Sequence, residues 1–381
     1  MPNLDPAATP RLVRVEAIYV RVPFRRPMLD ATGEFTHRRS WILRIVDEGG
    51  NQGLGEAALN PFAEEVSTDA LARLMRALPQ DLAHGRLPAW PDMAAEGEPG
   101  RAAMAAVEGA MGALEAARNG GASPAPVAVG AVIGFAGPDA GADAAAQAVE
   151  LGFETLKIRA GFERTTDQLV DRVRAIRGAV GPGPRLRVDV AGAWDMETAE
   201  ERMFALEPFR IEFVEQPLAA WDIGGHATLR SRVEVPIALD ESIDSEYSVG
   251  EALAGRAADV LIVKPARVGG SAVTLRIAEA AAAAGVGVAL ATYYETGVGI
   301  AAALRLADAL RNSGAGRGGE RPAADPASAP AHALATSGLL VHDLLEMPLA
   351  IERGRMEVPA ALTLDESQVD RDALERVEAR G

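Results

Sequence analysis

From Pro126 onward the chain repeats one pattern, a short apolar run followed by a stretch of helical period. The runs are Val127–Phe135, Thr155–Ala160, Arg185–Ala191, Ile211–Gln216, Pro236–Ser242, Val260–Arg267, Gly287–Tyr293 and, more weakly, Ala331–Ala335. Successive starts lie about 20–30 residues apart, the length of one strand-plus-helix unit. Strands that are apolar throughout imply a parallel sheet covered on both faces. Eight of them close a barrel. An open doubly wound sheet is the competing arrangement, but no dinucleotide fingerprint opens the series.

The region before Pro126 obeys a different rule. Val13–Val22 alternates apolar and polar residues, the period of a half-buried strand. Trp41–Val46 reads as a second strand, Asp47–Gly50 as its turn, and Gly53–Ala57 as a third strand. Helical period follows in Ser67–Leu78 and Arg101–Arg118. This is an α+β domain of three strands and several helices. After the barrel, Leu349–Glu352 reads as a short strand, Arg353-Gly354 as a turn, and the remainder as a terminal helix that returns to the N-terminal domain. The expected division is a cap, residues 1–125 completed by about 346–381, on a barrel of residues 126–345. The Gly/Pro/Ala-rich stretch 312–330 has no strand leading into it and no Lys-Ser/Thr after it, so it reads as a surface loop rather than a phosphate loop.

Composition narrows the chemistry. The chain has no cysteine and only five scattered histidines, so a bound metal would sit mainly on carboxylate oxygen. A formal net charge of −16 argues against nucleic acid and anionic membranes as partners. It does not argue against a small carboxylate substrate, and it leaves homo-oligomer formation open. Met1–Arg11 holds no apolar stretch and Ala280–Ala291 is too short to span a bilayer, so a cytoplasmic protein is expected.

Charge inside an apolar strand is costly unless it is paired or binds metal. Here such charges cluster at strand C-termini, the end of a barrel where active sites are built. The third run ends in RVDVAGAW with Asp189, the fourth in FVEQP with Glu215, and the fifth in ALDES with Asp240 and Glu241. Spacings of 26 and 25 residues advance one unit at a time, so carboxylates from adjacent strands are expected to converge on one point. Each acid alone would read as a loop charge or a helix cap. Together they call for a compensating cation, and three oxygens with open positions suit Mg²⁺, with Mn²⁺ as a substitute. The second run places Lys157 and Arg159 on one face, and the sixth buries Lys264 after three apolar residues. Lys264 reads as a proton carrier or as an ion-pair partner of Asp240 or Glu241, and the two are compatible.

The ordered set Lys157-x-Arg159, RVDVAGAW, FVEQP, ALDES and KPARVGG resembles the muconate-lactonising subgroup of the enolase superfamily, over nearly the whole chain. The N-terminal RVPFRRPML and THRRSWILRI and the tail ATSGLLVHDLLEMPLAIERGRMEVP look most like the o-succinylbenzoate synthases of that subgroup. The resemblance implies an α+β cap on a (β/α)7β barrel of TIM type. It also implies Mg²⁺ held by Asp189, Glu215 and Asp240, and abstraction of a proton next to a carboxylate to give an enediolate. Two positions depart from the family pattern. Arg159 stands where the family has its second, basic lysine, and Asp189-Val190-Ala191 replaces Asp-Ala-Asn.

The implied reaction is dehydration of a cyclohexadiene carboxylate to o-succinylbenzoate, a step of menaquinone synthesis. Lys264, Arg159 and Lys157 all compete for the role of base. An N-acylamino acid racemase or dipeptide epimerase is the alternative, and a catalytically weak ligand-binding homologue is another, because arginine is a poor base. Glu241, Tyr293 with Tyr294, and Glu295 would line the substrate pocket. Arg25, Arg26, Thr32, His37 and Arg38 would cover it from a polar loop of the cap.

Overall fold

The computed structural model describes residues 10–30, 33–120, 124–313 and 330–381; Thr32 and most of the Gly/Pro/Ala-rich stretch lie outside them. The cap opens with three antiparallel strands, β1 (Leu12–Asp30), β2 (Gly33–Asp47) and β3 (Gln52–Ala57). Helices α1 (Glu65–Ala83), α2 (Trp90–Ala95) and α3 (Glu98–Asn119) follow. The alternation sets the packing. Val15, Ala17, Trp41, Leu43 and Ile45 bury against Leu71 and Met75 of α1 and Ala106 and Ala110 of α3. On β3, a Cβ at Gly55 would stand 1.9 Å from the Ala106 carbonyl oxygen, so only glycine lets α3 lie this close to the sheet. The polar loop expected around residues 25–38 is instead a continuation of the β1–β2 hairpin, pairing Val22 with Arg38 and Met28 with Phe35 across a register shift. The Arg-Arg-Pro interruption hides this pairing from a reading of period alone.

The barrel staves are β5 (Ala131–Ile133), β6 (Thr155–Arg159), β7 (Arg185–Asp189), β8 (Ile211–Glu215), β9 (Ile237–Leu239), β10 (Val260–Val263) and β11 (Gly287–Leu290); the two-residue β4 (Val127–Ala128) precedes them. They hydrogen-bond in sequence order and all run parallel. Residues 332 and 333 close the ring, His332 bridging Val129 and Ala333 bridging Ala291. The eighth stave is thus two single bridges, in keeping with the weak last run. Helices α4 (Pro138–Glu150), α5 (Thr166–Val180), α6 (Met196–Leu206), α7 (Ile223–Arg230), α8 (Glu246–Ala254), α9 (Pro265–Val268), α10 (Ser271–Ala283) and α11 (Gly297–Ser313) occupy the connections. Leu156, Ile158, Leu186, Val188 and Val263 pack in one cluster with Leu169, Val173 and Met203 of the surrounding helices. Phe213, Ala238, Ile262, Ala289 and Ala291 form a separate buried plug. Beside it Arg187 donates to Glu212 at 2.6 Å and to the Ala331 carbonyl at 2.8 Å.

The tail returns to the cap. β12 (Ile351–Glu352) and β13 (Arg355–Met356) form a small hairpin on β4, and α12 (Glu366–Asp372) leads into β14 (Ala373–Ala379), which pairs antiparallel with β1. The terminal helix read from sequence is therefore short, and the chain ends in a fourth cap strand. Its free β1 edge outweighs the helical propensity of ALERVEA. The second face of the cap sheet, Ile18, Val20, Val22 and Ile42, buries against Val298 and Ala301 of α11 and Leu362, Leu364 and Val369 of the tail. Two buried cap carboxylates meet helix starts across this junction. Glu56 accepts from Thr296 N and Gly299 N at 3.1 and 3.0 Å, and Glu108 accepts from Ala272 N at 2.9 Å. Negative charge at exposed helix N–H groups is the favourable sign.

Candidate active site at the mouth of the barrel

Strand alternation turns Leu156 and Ile158 outward and leaves Lys157 and Arg159 on the opposite face. The parallel register sets Arg159 beside Asp189, and Asp189 beside Glu215. Lys157 Nζ lies 2.9 Å from Asp189 Oδ2 and 3.0 Å from Glu215 Oε1, bridging the two carboxylates. Arg159 Nη1 donates to Asp189 Oδ2 at 2.6 Å, and its guanidinium lies over the Phe135 ring. Asp240 follows the end of β9 and takes a different pair of partners. Lys264 donates to its carboxylate, and Arg267 Nη1 reaches Oδ1 at 3.0 Å and the backbone oxygen at 2.7 Å. Tyr293 closes this side, with its hydroxyl accepting from Arg267 and its ring 5.6 Å from Lys264 Nζ.

Asp189, Glu215 and Asp240 are 2%, 1% and 6% exposed, so their mutual repulsion is little screened. Burial, with the Asp189 charge next, pushes the Glu215 carboxyl up to about 8. Asp189 goes the other way: burial opposes it, but Lys157 and Arg159 hold it well below the usual carboxylate range. Burial likewise opposes Asp240, and Lys264 and Arg267 overcome it and keep its carboxyl low. The Asp189 charge makes Arg159 hold its proton still more firmly than an ordinary arginine does. Burial weakens the Lys157 proton, yet Asp189 and Glu215 together make it firmer than usual. Glu241 has an exposed surface of its own at the rim. The dense protein wall around it and the Asp240 charge push its carboxyl up to about 7.

The expected convergence is therefore only partly met. Among the described residues, no three His, Asp or Glu side chains gather closely enough to hold a metal ion. Lys157 stands between two of the acids, and the third is turned to Lys264 and Arg267. The donor set still fits a hard divalent ion: three buried carboxylates on neighbouring staves, two already sharing one cationic nitrogen at bonding distance. Of the pocket residues read from sequence, Tyr293 lies at this site and Tyr294 packs with Phe24 and Phe35 of the cap hairpin. Glu295 is buried, with burial and then Glu56 pushing its carboxyl up to about 7. Arg26 is exposed on β1. Arg25 donates to the Gly338 carbonyl at 3.0 Å, while Arg38 is buried and donates to the Tyr293 and Leu59 carbonyls, both at 2.9 Å. Arg267 and Gln216 are site residues that the sequence reading passed over. Their only sequence signal is membership of the KPARVGG and FVEQP motifs.

Known proteins share this chain's family and fold. Residues 140–364 match the family model described as enolase C-terminal domain-like. An o-succinylbenzoate synthase from Thermobifida fusca is 40% identical over 190 residues, 49% of this chain and 58% of that protein. A hydrophobic dipeptide epimerase from Enterococcus faecalis is 35% identical over 181 residues, 47% of this chain and 51% of that protein. The chain thus spans about half the length of these curated relatives. A chloromuconate cycloisomerase from Cupriavidus necator matches more broadly, 31% identical over 317 residues, 77% of this chain and 84% of that protein. The fold is shared with a dipeptide epimerase from Enterococcus faecalis solved with Mg and L-Leu-L-Tyr, with a TM-score of 0.74 at 24% identity over 92% of this chain and 98% of that one.

Proposed function

The chain belongs to the enolase superfamily, a superfamily of enzymes, and on that premise we propose that it is a metal-dependent carbon–oxygen lyase that dehydrates a cyclohexadiene carboxylate to o-succinylbenzoate. The observation that carries this reading is that the mouth is one-sided for proton transfer. Arg159 on β6 and the Lys264 position after β10 stand four staves apart in an eight-stave ring, hence across from each other. Arg159 is held protonated by Asp189 at 2.6 Å, and Lys157, on the same stave, is held protonated between Asp189 and Glu215, which leaves Lys264 to carry the proton. A dehydration needs one such group, whereas a racemisation needs two.

Asp189, Glu215 and Asp240 would hold Mg²⁺, and a dipeptide epimerase of the same fold was solved in complex with Mg and a dipeptide. Such an ion, when bound, supplies positive charge at the substrate carboxylate, where negative charge develops. Lys264, as the neutral amine, takes the α-proton, and the C–H electron pair moves into the carboxylate to give an enediolate. Arg159 and Lys157 present preformed positive charge to it. The ring C–O bond then breaks, the departing hydroxyl takes a proton from Lys264, and water and an aromatic ring result. Burial of the carboxylates and Lys264 keeps bulk water from screening these charges.

Lys264→Ala is expected to lower single-turnover dehydration by about 10²–10⁴-fold; full activity in that variant sinks the assignment. The dipeptide epimerase relative favours a second reading, an isomerase that uses Lys157 and Lys264 as its two proton carriers. Turnover in D₂O separates the two readings. Water loss from the cyclohexadiene carboxylate supports the lyase. Deuterium entering Cα of an N-acylamino acid or dipeptide, with no dehydration of the other substrate, replaces it with the isomerase.

A further inference from the structure

We propose that Gln216 is a positioning residue that locks the ends of three neighbouring staves, and so fixes Asp189, Glu215 and Asp240 relative to one another. The inference rests on reading those three carboxylates as one cation site.

Gln216 follows Glu215 directly, is 0% exposed, and has a backbone φ of +46°, a conformation that L residues rarely adopt. Such strain persists only where surrounding contacts over-determine it, and here every polar group of the residue is engaged. Its backbone oxygen accepts from Gly192 N at 2.7 Å, on the loop after β7. Its backbone N–H donates to the Ala238 carbonyl at 2.8 Å, on β9. Its amide oxygen accepts from Asp240 N at 2.9 Å and Ser242 N at 3.2 Å, and its amide nitrogen donates to the Leu218 carbonyl at 3.1 Å and to Ser242 Oγ at 2.8 Å.

The amide has one consistent orientation. His226 is also fully buried, and its Nδ1 lies 2.7 Å from the Asp222 carbonyl, which can only accept, so Nδ1 carries the proton. Nε2 is then an acceptor, facing Leu218 N at 3.3 Å and the Gln216 amide nitrogen at 3.4 Å. The opposite face of the amide must therefore be oxygen, which is where the Asp240 N–H points. Strand β9 ends at Leu239, and the Asp240 N–H has the Gln216 amide oxygen as its partner instead of a neighbouring strand. One side chain thus sets the backbone from which the third carboxylate projects, while its own backbone ties that point to the two strands beside it. Outer partners that orient metal-binding groups change metal affinity by about 10–100-fold when removed.

The test titrates Mn²⁺ into the metal-free full chain by electron paramagnetic resonance, for the wild type, Gln216→Met and Ser242→Ala, with thermal midpoints measured in EDTA. Methionine keeps the volume and removes both amide groups. Gln216→Met is expected to bind Mn²⁺ about 10–100-fold more weakly, and Ser242→Ala more weakly by a smaller factor, beyond any change in their metal-free midpoints. A folded Gln216→Met that binds Mn²⁺ as tightly as the wild type overturns the inference while leaving the cation site standing. If Gln216→Met does not fold, unchanged Mn²⁺ affinity in Ser242→Ala overturns it. A wild type that takes up no Mn²⁺ overturns the cation site itself, and the inference with it.

Discussion

Arg187 and Asp189 lie two residues apart on one strand, both almost fully buried, and so do Glu212 and Glu215 a few residues apart on the next. Deeper in the barrel, Arg187 meets Glu212 at 2.6 Å and finishes on the Ala331 carbonyl. Arg185 also stands 3.9 Å from Glu212, so two cations answer one buried anion. At the mouth, one step along the same strands, three carboxylates end neighbouring staves and their cations are unevenly shared. Asp189 has two partners, Asp240 has two, and Glu215 is left with a share of Lys157 and a carboxyl pushed up to about 8. The deeper layer is an ion pair that holds the barrel, while at the mouth Glu215 is the least compensated carboxylate, and an added cation beside it would relieve that.

The largest effect should come from that carboxylate cluster. EDTA is expected to cut turnover by about a hundredfold or more, with Mg²⁺ or Mn²⁺ restoring it; full turnover in excess EDTA would break the contrast at its functional end. Next comes the deeper layer. Arg187→Met leaves Glu212 buried with only Arg185, at 3.9 Å, as a cation, at a cost of about 3–5 kcal/mol in urea unfolding, with activity per folded molecule unchanged. A stable Arg187→Met that has lost activity would mean that the two layers are not separable.

The smallest effect concerns pH. The Glu215 carboxyl titrates near 8 in the folded chain against an ordinary 4.5, so the stability it contributes is complete below the ordinary value and is lost as pH rises toward 8. Glu295 and Glu241, both pushed up to about 7, act with the same sign. Burial pushes His332 down to about 4, which acts with the opposite sign but only below its ordinary 6.5. Between about pH 6.5 and 8 the metal-free chain should therefore lose thermal stability, by roughly a few degrees, and Glu215→Gln should flatten the decline. Parallel wild-type and Glu215→Gln curves in calorimetry would show that Glu215 is not the strained member.

Much of this was legible in the sequence because periodicity carries it. The seven strong runs became seven staves, and alternation put Lys157 and Arg159 on one face and gave Asp189 and Glu215 adjacent strand ends. What escaped depends on contacts between distant segments. ALERVEA becomes a strand because β1 offers an open edge, and the β1–β2 pairing lapses over residues 24–27 and resumes where Met28 meets Phe35. Gln216 reads as one more polar residue in a motif until its left-handed backbone and its contact with Asp240 N are seen. Spacing says which strand end bears an acid. It does not say that Lys157 reaches between two of them or that Arg267 comes around to the third.

A crystal grown with Mg²⁺ tests the central claim most directly. The account predicts a single ion held jointly by Asp189, Glu215 and Asp240, with the Lys157 ammonium displaced from between the first two. An ion-free mouth in which Lys157 still bridges Asp189 and Glu215 while Asp240 stays paired with Lys264 and Arg267 would contradict it.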